Sequence, residues 1–320
     1  MTDLRFDGRV VLVTGAGRGM GRMHAQLFAA RGAKVIVSDV GTSLVGVGAD
    51  ANVAEQVVEE IRGKGGEAIA YTGDLANEVG ARGAVKCALS AYGRIDAIVH
   101  NACIALGGSP FEQESFENLD KLLKISTYAA WALLSEAWPI MQKQKYGRLV
   151  LVGSSGMYGI PGTPFYSAAK ASYIGFARSL AGEAAAHNMT INVLLPSAST
   201  RFAEPMPDSE FTRWFMRTMR PELVSPVVVY LCHEDCKING EALAVAGGRV
   251  ARSVFAESQG IVDYDLTPEV VRDRIEEIIL SEPLRGYASY ADSVADLMKA
   301  HKFTPTQNMG VVTEIKADPE

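Results

Sequence analysis

The chain is short of cysteine, of histidine and of strong charge of either sign, and it has no long apolar run. Its 320 residues include only four cysteines, Cys87, Cys103, Cys232 and Cys236. They are scattered, which excludes a disulfide-stapled scaffold and fits a reducing compartment. Cys232-His233-Glu234-Asp235-Cys236 lacks the second ligand pair of a zinc site, so it reads as a helix end and no metal is expected. A formal net charge of −6 argues against general nucleic-acid binding and against a polybasic membrane surface. No apolar stretch is long enough to cross a bilayer, and no charged-then-apolar leader opens the chain. The expectation is a soluble, cytoplasmic protein.

What the chain does have is a β-branched run, Val10-Val11-Leu12-Val13-Thr14, that stops in Gly15-Ala16-Gly17-Arg18-Gly19-Met20-Gly21. Met23, Leu27 and Phe28 follow at helical spacing. Strand, glycine turn and helix present a helix N-terminus, with free N–H groups and partial positive charge, to a diphosphate. The glycines allow a tight turn and a close approach of phosphate. A second strand, Lys34 to Ser38, ends at Asp39, about twenty residues past the glycines. There a carboxylate can accept hydrogen bonds from an adenosine ribose and would repel a 2′-phosphate. The expected coenzyme is NAD, with Arg18 softening the preference over NADP.

Strand-like and helix-like patterns alternate from there on. They predict an α/β fold with a doubly wound parallel sheet of the Rossmann type. Later strands are expected near 68–72, 95–99, 149–152, 190–195 and 242–246, the sixth of the series breaking at Pro196. A long helix is expected over 116–143, and an amphipathic one over 208–219. Beyond Gly248 the alternation stops, and Val271, Ile275, Ile278 and Ile279 mark a helix after Thr267-Pro268. Residues 1–250 are read as the dinucleotide-binding domain. Residues 251–320 are read as a helical C-terminal extension, too short to own a core.

Tyr166 and Lys170 stand one helical turn apart and so share a face. A free phenol loses its proton near pH 10, too high for efficient acid–base work at neutrality. A neighbouring ammonium would stabilise the phenolate and lower that value. A serine from the preceding strand end, Ser154 or Ser155, could hold the substrate oxygen. His24 and His100 have no partner that the sequence names and read as structural.

The glycine turn, Asn101-Ala102, the serine-bearing strand end and Tyr166-x-x-x-Lys170, in that order, resemble the short-chain dehydrogenase/reductase family. The resemblance implies NAD(P)-dependent oxidation of alcohols or reduction of ketones, with catalytic Ser154, Tyr166 and Lys170. It places Gly15, Gly17, Arg18, Gly19, Met20 and Gly21 at the diphosphate and Asp74 and Leu75 at the adenine. It also assigns Asn101, Ala102, Tyr166, Lys170 and Pro196 to the coenzyme. A narrower likeness runs through Gly46-Val47-Gly48, Val57 to Ile61, Gln142 to Arg148 and Leu231 to Glu234. These stretches resemble the (3R)-hydroxyacyl-CoA dehydrogenase unit of peroxisomal multifunctional enzyme type 2. That likeness suggests a 3-hydroxyacyl-CoA substrate, with hydroxysteroids second, and family oligomers imply a homodimer or homotetramer.

The chain departs from the family pattern at three places. Ser126 stands where a relay asparagine is usual, Cys103 where a glycine is, and Ser197 follows Pro196 in place of glycine. These departures motivate a competing reading, a coenzyme-binding sensor with weakened chemistry. Arg213, Arg217 and Arg220 are expected on one helix face, opposite Phe211, Trp214 and Phe215. That helix would be either a lid with an apolar side toward an acyl chain and a basic side toward coenzyme A phosphates, or a packed helix with a solvated basic side.

Overall fold

The computed structural model describes residues 3–204 and 206–304. Its first half runs β1 (Val10–Thr14), α1 (Gly19–Ala30), β2 (Lys34–Ser38), α2 (Asn52–Gly63), β3 (Glu67–Tyr71), α3 (Glu78–Tyr92) and β4 (Ala97–His100). There follow α4 (Phe116–Leu123), α5 (Ala129–Gln144), β5 (Gly147–Val152), α6 (Pro164–Ala185), β6 (Met189–Ser197), α7 (Glu210–Thr218), α8 (Ser225–Cys232), β7 (Ala242–Ala246) and β8 (Arg249–Ser253).

Period-two alternation builds the sheet's two cores. Val10 and Leu12 pack on one face with Ile36, Ile98, Leu149 and Ile191, while Val11 and Val13 join Val35, Val37, Val99 and Val150 on the other. Helices α3, α5 and α6 cover the first face; α1, α2 and α8 cover the second. Burial on both sides is why these strands read as unbroken apolar runs. The strand order is β3-β2-β1-β4-β5-β6-β7-β8, and β1 to β7 pair in parallel. The order reverses between β1 and β4, and a crevice opens there beyond the strands' C-terminal ends.

Three differences from the sequence reading have local causes. The strand β6 continues through Pro196 to Ser197, because beyond Leu194 it pairs only with β7 and no ladder donor is lost on the β5 side. An edge strand, β8, follows the Gly247-Gly248 turn, where both glycines have positive φ. The long helix is divided by a π-helical turn over Lys124–Tyr128, a widening that apolar spacing does not encode.

By contacts the chain falls into two compact units, Met1–Arg252 and Ser253–Glu320. The second contains a short antiparallel pair, β9 (Ala256–Glu257) with β10 (Arg285–Gly286). It also holds α9 (Pro268–Asp273), α10 (Ile275–Leu280) and α11 (Tyr290–Ala300). Thr267 caps α9 through the Val270 N–H, and Ser289 and Asp292 form a reciprocal capping box on α11.

Candidate active site

The crevice at the switch point is a cleft of about 980 Å³. At its dinucleotide end β1 stops in a turn where Gly15 and Gly19 adopt positive φ, +63° and +53°. No side chain caps α1, so its first N–H groups are left to face the cleft. Gly17 has no room for a side chain, because a Cβ would press on Val53 and on the Asp39 carboxylate. Asp39 Oδ2 accepts the Gly17 N–H at 2.9 Å and Oδ1 accepts the Gly41 N–H at 2.8 Å, which fixes the acid at the turn. Asn101 donates from Nδ2 to the carbonyls of Thr14 (3.1 Å) and Gly15 (3.2 Å), tying the end of β4 to the turn. Free helical N–H groups, a glycine surface that admits close approach and a carboxylate held beside them fit a dinucleotide.

Of the residues expected at the coenzyme, Gly15, Arg18, Gly19, Met20, Asp39, Leu75, Asn101, Ala102 and Pro196 line the cleft. Asp74 does not: its Oδ1 accepts the Ala76 N–H at 2.9 Å and closes its own turn. Gly21 acts from behind, letting α1 pack on the Gly15 carbonyl. Arg201 is an addition from a different segment. It and Arg18 both donate to the Thr42 carbonyl, at 3.1 and 2.9 Å. Burial and then the Arg18 charge hold the Arg201 guanidinium below its usual value, while Asp39 opposes them.

At the other end Ser154, Tyr166 and Lys170 converge. Pro164 opens α6, placing Tyr166 and Lys170 on its first turns. Ser154 lies close enough to the Tyr166 phenol to favour its ionised form, whereas Ser155 Oγ lies 2.9 Å from Ser197 Oγ, so of the two serines it is Ser154 that bears on Tyr166. The lysine is buried, its Nζ 2.9 Å from the Val152 carbonyl and 6.0 Å from the Tyr166 ring centre. The phenol is raised, not lowered: burial dominates, the nearby Cys103 adds to it, and Ser154 opposes it. Cys103 therefore stands at the Tyr166 end of the cleft.

The far wall is apolar, formed by Ile104, Leu106, Ile160, Phe202, Met206, Phe211 and Phe215. Of the apolar residues expected on α7, Phe211 and Phe215 line the cleft and Trp214 does not. The arginines depart from that expectation. Arg213 pairs with Asp208 at 2.6 Å, and Arg220 falls beyond the end of α7 and pairs with Glu222.

The fully buried His24 and His100 have partners. His24 Nδ1 meets Ser225 Oγ at 2.7 Å, and His100 lies between Thr14 and Ser126. Burial lowers their pKa values to about 3 and about 4 respectively; beside His100 the Lys170 charge adds to the lowering. The folded chain thus keeps both rings neutral where the unfolded chain protonates them, and stability falls as pH drops below about 6.5. By pH 5 each ring should cost on the order of 2 kcal/mol. Urea titrations between pH 7 and pH 5 check this, and a flat midpoint would contradict it.

A doubly wound sheet with a glycine turn, an acid held at the end of β2 and a Ser/Tyr/Lys constellation in one crevice defines a nicotinamide-dependent oxidoreductase. Consistent with this, residues 9–207 match the family model described as short chain dehydrogenase, and the chain belongs to that family, whose members act on CH–OH groups with NAD(P). It is 40% identical over 282 residues to peroxisomal multifunctional enzyme type 2 of Mus musculus, covering 87% of this chain and 37% of that one. It is 40% identical over 263 residues to a putative short-chain type dehydrogenase/reductase of Mycobacterium tuberculosis, covering 82% and 90%. The structure of full-length peroxisomal multifunctional enzyme type 2 from Drosophila melanogaster superposes with a TM-score of 0.77 at 30% identity, covering 93% of this chain and 50% of that one. The chain thus spans half or less of these two multifunctional enzymes. No helix among the described residues is long and apolar enough to cross a membrane.

Proposed function

We propose that the protein is an NAD-dependent dehydrogenase of hydrophobic secondary alcohols, with 3-hydroxyacyl-CoA thioesters as the substrate class. One observation carries the reading: the Ser154–Tyr166–Lys170 group and the Asp39 turn share a single cleft whose remaining wall is apolar. NAD, when bound, supplies the hydride acceptor at C4 of its nicotinamide. Tyr166 takes the hydroxyl proton of the alcohol, Ser154 holds the substrate oxygen against the phenol, and Lys170 holds a buried positive charge on the same helix face. The apolar wall excludes water and receives the acyl chain. The likeness to multifunctional enzyme type 2 supports the thioester class.

The test is NAD and NADP reduction on a panel of 3-hydroxyacyl-CoAs, hydroxysteroids and simple secondary alcohols. Activity confined to steroids would replace the substrate class, and coenzyme binding without turnover on any compound would favour the sensor. The coenzyme choice has its own prediction. Asp39→Asn keeps an acceptor for the turn but removes the charge that repels a 2′-phosphate. The NAD-over-NADP ratio of kcat/KM should fall about tenfold, the scale of one charge-assisted hydrogen bond. Arg201→Ala should move the ratio the other way, because it removes a cation from the same end of the cleft. An unchanged ratio in both variants would put the selectivity elsewhere.

A further inference from the structure

His100 ends β4 in register with Thr14 at the end of β1, so their side chains sit side by side. The Thr14 hydroxyl oxygen accepts the N–H groups of Asn101 and Ala102, both at 3.0 Å. A hydroxyl has two acceptor positions and one proton. With both positions filled, the proton is left to donate to His100 Nδ1, 3.0 Å away. The neutral ring must then carry its proton on Nε2, which donates to the Ser126 carbonyl at 3.2 Å.

Ser126 lies in the π turn, and the next residue continues the thread. Thr127 Oγ1 is 2.9 Å from Ser172 Oγ, and Ser172 donates onward to the Ala169 carbonyl at 2.7 Å within α6. That helix carries Tyr166 and Lys170. Lys170 Nζ also stands 5.3 Å from the ring of Tyr173, whose edge-on contact with His100 spans 6.0 Å between centres. One thread, hydrogen-bonded except for the covalent step from Ser126 to Thr127, therefore runs from the dinucleotide turn through a buried imidazole to the helix bearing Tyr166 and Lys170.

We propose that His100 is a positioning residue that couples the dinucleotide turn to the helix bearing Tyr166 and Lys170, so that coenzyme binding and catalytic alignment are one event. The proposal rests on the dehydrogenase reading and adds a residue with no contact to substrate or coenzyme. A ring locked as the Nε2–H tautomer has one acceptor and one donor pointing opposite ways. A non-titrating amide can copy that pattern, and an alkyl group cannot.

The experiment measures NAD affinity by calorimetry and kcat on the best panel substrate for wild type, His100→Leu, His100→Gln, Thr14→Val and the His100→Leu/Thr14→Val double variant. His100→Leu should weaken NAD about tenfold and lower kcat by a similar factor, while His100→Gln restores both to within about threefold. The double variant should bind NAD no worse than Thr14→Val alone, since either change cuts the same thread. Thr127→Val, at the far end, should lower kcat about tenfold. Nitrogen NMR of the wild type should show His100 protonated on Nε2 alone at neutral pH. An Nδ1–H tautomer, additive losses in the double variant, or a folded His100→Leu that binds NAD normally would each overturn the proposal. Should His100→Leu fail to fold, Thr127→Val and the NMR tautomer decide. Wild-type NAD binding without turnover would sink the dehydrogenase reading alone, because the affinity cycle still judges His100.

Discussion

Tyr166→Phe should cut turnover by about a thousandfold while NAD affinity stays within about threefold of wild type. Phenylalanine fills the same volume, so packing is preserved and only the hydroxyl is lost. In the proposed mechanism it is the phenol that exchanges a proton with the substrate oxygen held by Ser154. Lys170 cannot stand in for it, because its Nζ is buried against the Val152 carbonyl and 6.0 Å from the ring centre. Since burial raises the free phenol, alcohol oxidation, which needs the phenolate, should speed up as pH rises. Ketone reduction, which needs the neutral phenol, should slow over the same range. Steady-state rates in both directions, with calorimetry for NAD, give the comparison. A Phe variant that keeps wild-type turnover would remove Tyr166 from the mechanism.

Much of this was legible because strand burial leaves a strong trace. The β2 strand from Lys34 to Ser38 and the β7 strand from Ala242 to Ala246 lie where alternating elements and apolar runs placed them. Asp39 and Asn101 were readable too, since each follows a strand that aims it into one crevice. What escaped depends on contacts between distant segments. Arg201 reaches Thr42 across 159 residues, and His100 answers to Thr14 and Ser126 on two other elements. A lone buried histidine shows no pattern along the chain. Its only sequence trace is its place just before Asn101. The π turn escaped for a different reason: one extra residue per turn shifts a backbone ladder without disturbing the apolar stripe. Arg220 was misread because helical periodicity extends past the point where α7 stops, at Thr218. The lowered Tyr166 pKa inferred from the lysine's spacing failed because spacing gives proximity and not desolvation, which is the larger effect here.

Glycine substitution at two helical sites separates coenzyme geometry from helix propensity. At Gly21 in α1 an added Cβ would fall on the Gly15 carbonyl and stand 2.6 Å from Asn101 Nδ2. Neither can give way cheaply, since the first is backbone in the turn and the second holds β4 to that turn. Gly21→Ala must therefore lift α1 off the turn, displacing the N–H groups that face the cleft. The expected result is a loss of about 2–3 kcal/mol in stability and no measurable NAD binding, and hence no turnover. At Gly182 in α6 nothing lies within 4 Å of an added Cβ, so the same change meets no obstacle. There alanine should stabilise by about 0.5–1 kcal/mol with NAD affinity untouched. Paired urea titrations and NAD calorimetry read both sites. If Gly21→Ala bound NAD like Gly182→Ala, close packing of α1 on the glycine turn would not be what shapes the coenzyme site, and the fit of a dinucleotide there would have to be argued anew.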